Sequence, residues 1–205
     1  MQEDFIDMQV SPVLVNQTVS NEYTLYLDGE IRDLTKYIEH FSVFKNATPN
    51  DIVLLHINST GGSVSIGQVY IKHMRECQCP IIGFIGVDCA SQAAAIAMVC
   101  DDLAFDEMST MLIHQFSYSE YSNANDVFRK AEFNKKLNER WVNTYFSEIL
   151  SEDEYERVMS GQDVMLDSET LEERWMVIRE NRRAEYADTL EGDIDTEEQS
   201  PVSLH

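Results

Sequence analysis

The sequence predicts an α/β fold built on parallel strands, because short apolar runs alternate with stretches of helical periodicity and glycine turns separate the two. Three runs carry that prediction: YTLYLD at residues 23–28, DIVLLHIN at 51–58 and IIGFIG at 81–86. Their aromatic, β-branched and leucine side chains suit a sheet.

YTLYLD ends at Gly29 and gives the first secure strand; the segment 1–22 before it has none. Leu34, Ile38, Phe41 and Phe44 then follow one helical face, and Pro49 marks its end. DIVLLHIN is almost continuously apolar, as in a parallel strand covered on both faces. It runs into the glycine turn STGGS. Ile66, Val69, Tyr70, Met74 and Cys77 recur at helical spacing until Pro80, where IIGFIG begins. Beyond Ser91 a helix of small residues extends to about Cys100, and short strands are predicted at 103–105 and 111–113. Residues 125–150 read as a long amphipathic helix carrying Val127, Phe128, Ala131, Leu137, Trp141, Tyr145 and Ile149. Ser151 with Glu154 forms a capping-box pattern that opens a short helix. WMVI at 175–178 reads as a last strand, and residues 184–205, with seven acidic residues and no Lys or Arg, as a disordered tail.

A chain of 205 residues suits one domain with appendages. Its 37 acidic against 15 basic residues give a formal charge of -22, which repels phosphate backbones and anionic lipid surfaces. Neither nucleic acid nor a membrane is therefore expected as a partner. No run reaches the ~20 apolar residues of a membrane span, and the acidic start MQEDFIDMQ lacks a secretory pattern, so a cytoplasmic location is expected. Cys77 and Cys79 form a lone C-x-C without a second ligand pair. With Cys89 and Cys100 they read as free thiols, and no metal is predicted.

The stretch CASQAAAIA at 89–97 sets one serine among residues with almost no side-chain chemistry. A serine at a helix start is by default a structural N-cap, and the pattern lacks the G-x-S-x-G of an α/β-hydrolase elbow. A nucleophile needs more: a base, an orienter for that base, and donors for an oxyanion. Ala90, Ala93 and Ala94 leave room for a substrate backbone, and the Gln92 N–H would face the oxyanion at the helix start. Of five histidines, His205 lies in the tail, His40 and His73 in helices, and His56 inside a strand. His114 directly follows the strand MLI, where side chains of α/β active sites often stand. Gly62, the second glycine of STGGS, can offer another N–H, although a tight turn alone also explains it. The 37 acids leave the orienting carboxylate open.

Taken together, HINSTGGSVSIGQVY, CASQAAA, LIHQ and GQDVML occur in the order and at about the separations found in the proteolytic subunit of the Clp protease. The chain resembles that family, ClpP, from about residue 23 to 178. There, NSPGGSV shapes the substrate cleft, GQAASMGA carries the nucleophile, MIHQP the base, and a DxFM or DxFL segment the acid. Matched residue by residue, the resemblance implies Ser91 as nucleophile, His114 as base and Asp163 as acid. It further implies oxyanion donors at Gly62 and Gln92, and substrate binding along Gly61, Gly62 and Ser63. It also implies a crotonase-like fold of repeated β-β-α units, a long handle helix at 125–150, and stacked rings around a closed chamber. On this basis 23–183 is the protease domain, 1–22 a divergent N-terminal segment and 184–205 the tail.

The sequence also departs from that pattern. Val87, Asp88 and Cys89 replace Gly-Gln-Ala before the serine, Gln92 and Ala93 replace Met-Gly after it, and Thr60 and Phe116 replace prolines. Gln162 replaces an arginine, Trp175 a late glycine, and SYSEY at 117–121 lacks a glycine pair that serves ring contact. No triad group is removed. Segment 1–22 does not match the helix and axial loop that help engage a ring ATPase. The implied function is a serine endopeptidase in a homo-oligomeric ring, acting on polypeptides without a cofactor and fed by an ATP-dependent unfoldase. Alternatives are a bacteriophage head-maturation protease of the same fold, a crotonase-type acyl-CoA enzyme, and a catalytically silent scaffold subunit.

Overall fold

The computed structural model describes residues 19–117 and 123–197. Six strands form one sheet: β1 (Glu22–Ile31), β2 (Ile52–Gly62), β3 (Ile81–Ala90), β4 (Asp102–Phe105), β5 (Thr110–Ile113) and β6 (Val164–Asp167). Their order is β1-β2-β3-β5-β6. The long strand β3 has two partners on one side: β4 pairs with Ile82 to Ile85, and β5 with Asp88 to Ala90. All these pairings are parallel, and only β6 runs antiparallel, against β5. The helices are α1 (Ile38–Asn46), α2 (Val64–Arg75), α3 (Gln92–Ala97), α4 (Ala124–Phe146), α5 (Glu152–Met159) and α6 (Ser168–Glu197).

Alternation along the strands sorts the two faces of the sheet. Leu25 and Leu27, Val53, Leu55 and Ile57, and Ile81 and Ile85 are buried, and α3 packs over β2 and β3 on α2. The opposite face differs from the expectation of full cover. Tyr26, His56 and Phe84 stack there across three strands with ring centroids 5.1 Å apart in each pair, and Tyr26 is exposed. The apolar run in β2 thus reports one dry face and one aromatic, half-exposed face.

The capping box at Ser151 and Glu154 opens α5 as the sequence predicts. Residues 175–178 are not a strand. They lie inside α6, where Leu171, Trp175 and Ile178 are buried at helical spacing while Met176 and Val177 face outward. Four apolar residues cannot distinguish the two periods; the helix is decided by Leu171 upstream and by the Asp167 carboxylate, which accepts from the Thr170 N–H at 2.9 Å. The last strand is instead β6. Helix α6 continues to Glu197, so the acidic segment expected to be disordered from 184 has helical backbone as far as that residue. Residues 1–18, 118–122 and 198–205 lie outside the described residues, and with them much of the N-terminal segment, most of SYSEY and the end of the tail.

Candidate active site

Ser91 sits between the end of β3 and the start of α3 with φ 57° and ψ -119°. It is the only non-glycine residue with positive φ among those described. Such a backbone costs an L-residue about 1–3 kcal/mol, so neighbours must hold it. The Ser91 N–H donates to the Leu112 carbonyl at 2.8 Å, and its own carbonyl accepts from Ala95 N–H at 3.2 Å. Although it occupies the N-cap position, its side chain makes no capping bond. The hydroxyl is therefore not spent on the helix.

Gly61 lies directly against this turn. A β-carbon there would stand 2.5 Å from the Ala90 carbonyl oxygen and 2.9 Å from both Gln92 N and Ser91 Cβ. Its φ of +83° also suits only glycine. The Gly61 N–H is engaged by the buried Ser59 hydroxyl at 3.1 Å, and that hydroxyl donates to the Gly29 carbonyl. Gly62 packs against β1, where a β-carbon would meet the Ile31 backbone at 2.5–3.0 Å. The next N–H, of Ser63, donates to Ile31 O at 2.7 Å, and the Ser63 hydroxyl caps α2. Gln92 is fully buried, and its side chain fills the space over Gly67 of α2.

Register brings the other candidates to the same place. Ala90 pairs with Leu112 across β3 and β5, and Ile113 with Val164 across β5 and β6. The pairings end there: Ser91 follows Ala90 at the end of β3, His114 follows Ile113 at the end of β5, and Asp163 precedes Val164 at the start of β6, so the three stand at adjoining strand ends. Ser91 and His114 are half-buried, and Asp163 is exposed. Among the described residues, no hydrogen bond joins the three side chains. Catalytic hydrogen bonds often close only around substrate.

Two side chains that sequence reasoning missed hold the His114 segment. Gln115 Nε2 donates to the carbonyls of Val158 and Met159 at 3.0 and 2.9 Å, tying the residue after His114 to the end of α5. Asn138 of α4 is buried and grips Phe116 twice: Oδ1 accepts from its N–H at 2.9 Å and Nδ2 donates to its carbonyl at 3.3 Å. A signal for Asn138 existed, a polar residue in phase with Trp141 and Tyr145. Gln115 is the last residue of LIHQ, a motif that marked it without giving it a role.

The rival groups have other work. His40 bonds Tyr70, His56 is stacked between Tyr26 and Phe84, and His73 stacks on Phe41. All four cysteines are free. Burial pushes the Cys89 and Cys100 thiols far up and Cys79 up to about 12, which leaves none of these three as a ready thiolate. The Asp101 carboxylate accepts from the Ile81 N–H at 2.7 Å. Among the described residues, no group of three or more His, Cys, Asp or Glu gathers to hold a metal, and no helix is long and apolar enough to cross a membrane. A family model described as Clp protease matches residues 11–175. The match begins inside segment 1–22 and runs through all the candidate site residues.

Proposed function

The chain belongs to the Clp protease family, and from that premise we propose that it is a serine endopeptidase with Ser91 as nucleophile, His114 as general base and Asp163 as orienting acid. The observation that carries this reading is the meeting of strand ends, where the strained Ser91 turn, the end of β5 and the start of β6 converge. Ser91 Oγ attacks the scissile carbonyl and His114 takes its proton, then gives it to the leaving amine. Asp163, next to the start of β6, holds the imidazole and stabilises its charged form.

The oxyanion is held by the N–H groups of Gln92 and Gly62. Two observations support this reading: the glycine turn lies against Ala90, Ser91 and Gln92, and the Ser63 N–H is already spent on Ile31 O. Gly61 is excluded because Ser59 takes its N–H; its role is to let the two loops touch. An extended peptide adds as a strand along Gly61, Gly62 and Ser63. The protein works as a homo-oligomeric ring whose sites face a chamber, fed by an ATP-dependent unfoldase.

Replacing each triad member tests the assignment. Ser91→Ala and His114→Ala abolish peptide cleavage while assembly persists, and Asp163→Asn loses on the order of 10³- to 10⁴-fold in kcat. Near wild-type turnover in Asp163→Asn contradicts the acid assignment. Wild-type protein that assembles and cleaves nothing points to the silent-subunit alternative.

A further inference from the structure

Helices α2 and α4 border a cleft of about 480 Å³ that begins beside the strand ends. Ser65, two residues beyond Ser63, lines it from α2, and Phe116, two residues beyond His114, lines it from the other side. A side chain of a peptide lying along residues 61–63 therefore has the near end of this cleft within reach, with Arg75 toward its far end. Its size suits a side chain with accompanying water.

The charges in the cleft run against those of the molecule. Arg75 and Arg140 lie on its walls, and none of the lining residues is acidic, in a chain with 37 acidic and 15 basic residues. Among the described residues neither arginine takes part in an ion pair. Arg75 instead lies 5.8 Å over the Tyr145 ring. The Tyr145 hydroxyl donates to Gln68 Oε1 at 2.8 Å, which fixes the amide and leaves its donor end, Nε2, without a protein acceptor. Two guanidinium groups with no fixed anion among them match a carboxylate; Gln68 Nε2 is itself buried and takes no part.

We infer that this cleft is a specificity pocket for an acidic side chain flanking the scissile bond, with Arg75 and Arg140 as the recognising charges. The inference rests on the serine-peptidase reading above, which puts the scissile bond at Ser91. A chain of charge -22 draws basic peptides to itself non-specifically, so a preference for acidic ones reports the cleft and not the overall field.

Quenched fluorogenic peptides that differ only in the residue before the cleaved bond, Glu or Lys, test it on the full chain. The wild type is expected to show a kcat/KM about tenfold or more higher for Glu than for Lys, a difference of about 1.4 kcal/mol. The Arg75→Glu/Arg140→Glu variant should bring that ratio below one; if it fails to fold, Arg75→Gln/Arg140→Gln should bring the ratio close to one. A wild-type ratio near one, or a ratio that neither charge change moves, overturns the proposal. Binding is read separately, by fluorescence anisotropy of the labelled peptides on Ser91→Ala. Tighter binding of the Glu peptide that disappears on charge reversal supports the pocket even where the wild type cleaves nothing, in which case the peptidase reading alone falls. Equal binding of the Glu and Lys peptides overturns the pocket.

Discussion

A single β-carbon at position 61 would collide with the Ala90 carbonyl and crowd Gln92 N, so the serine turn and the glycine turn are built as one object. Gly61→Ala is expected to lose about 2 kcal/mol or more through positive φ and steric contact, lowering Tm by about 5 °C, and to abolish peptide cleavage. Thermal unfolding and a peptide assay read both. Gln115 acts at one remove, by anchoring the residue after His114 to α5. Gln115→Ala should reduce kcat about 10- to 100-fold with little change in KM, because a misplaced base harms the transition state and spares binding. An unchanged kcat contradicts its positioning role. Ser91 and His114 could be singled out from sequence as candidates, since a lone serine among alanines and a histidine at a strand end carry local signals. Asp163 could not be chosen among 37 acids, because it is brought toward the end of β5 only by the β5–β6 pairing, which joins segments 49 residues apart between positions 114 and 163.

Most elements were legible because each kept one clear signal, as in α2 with its helical period and the capped α5. The misreadings came from short segments whose neighbours decide their form: residues 175–178 take the helical phase of Leu171, and β6 is only four residues long and is recruited by the edge of β5. Helix α6 is held by Arg182, which stacks over Trp175 at 5.0 Å and donates to the carbonyls of Met98 and Cys100. Truncation after residue 187 should leave Tm and peptide turnover nearly unchanged, whereas truncation before Arg182 should lower Tm by several degrees. A large loss from the shorter deletion would show that the acidic end docks. Two element junctions also set the acid limit of the fold. Asp51 ties β1 to β2 by accepting from the N–H groups of Thr48 and Asn21 and from their side chains, which lowers its pKa from 3.8 to about 2. Hydrogen bonds from Arg174, with those of Ser151, lower Glu154 from 4.5 to about 2. Both pKa values are depressed on folding, so their stabilisation is present above the unfolded values and lost as pH falls from about 5 to about 2. Tm measured through that window should fall more steeply in the wild type than in Asp51→Asn/Glu154→Gln; parallel slopes contradict the assignment.

At the scale of the whole molecule, α4 carries Phe128, Phe133 and Leu137 exposed, and the open sheet face carries Tyr26. Apolar surface of this kind is covered when copies of the chain associate, as the ring reading requires. Light scattering should find a high-order oligomer, and without nucleotide it should cleave a short quenched peptide while leaving a stable folded protein intact. A monomer that digests both equally would leave an open protease on the same fold. All of this depends on one chemical claim, that the strained turn at the strand ends makes Ser91 a nucleophile. Labelling of the assembled protein with a fluorophosphonate probe, followed by peptide mapping, tests it most directly. One covalent adduct is expected, on Ser91, formed far more slowly in His114→Ala; a folded, assembled sample that takes up no probe, or takes it up on another residue, would overturn the assignment of Ser91.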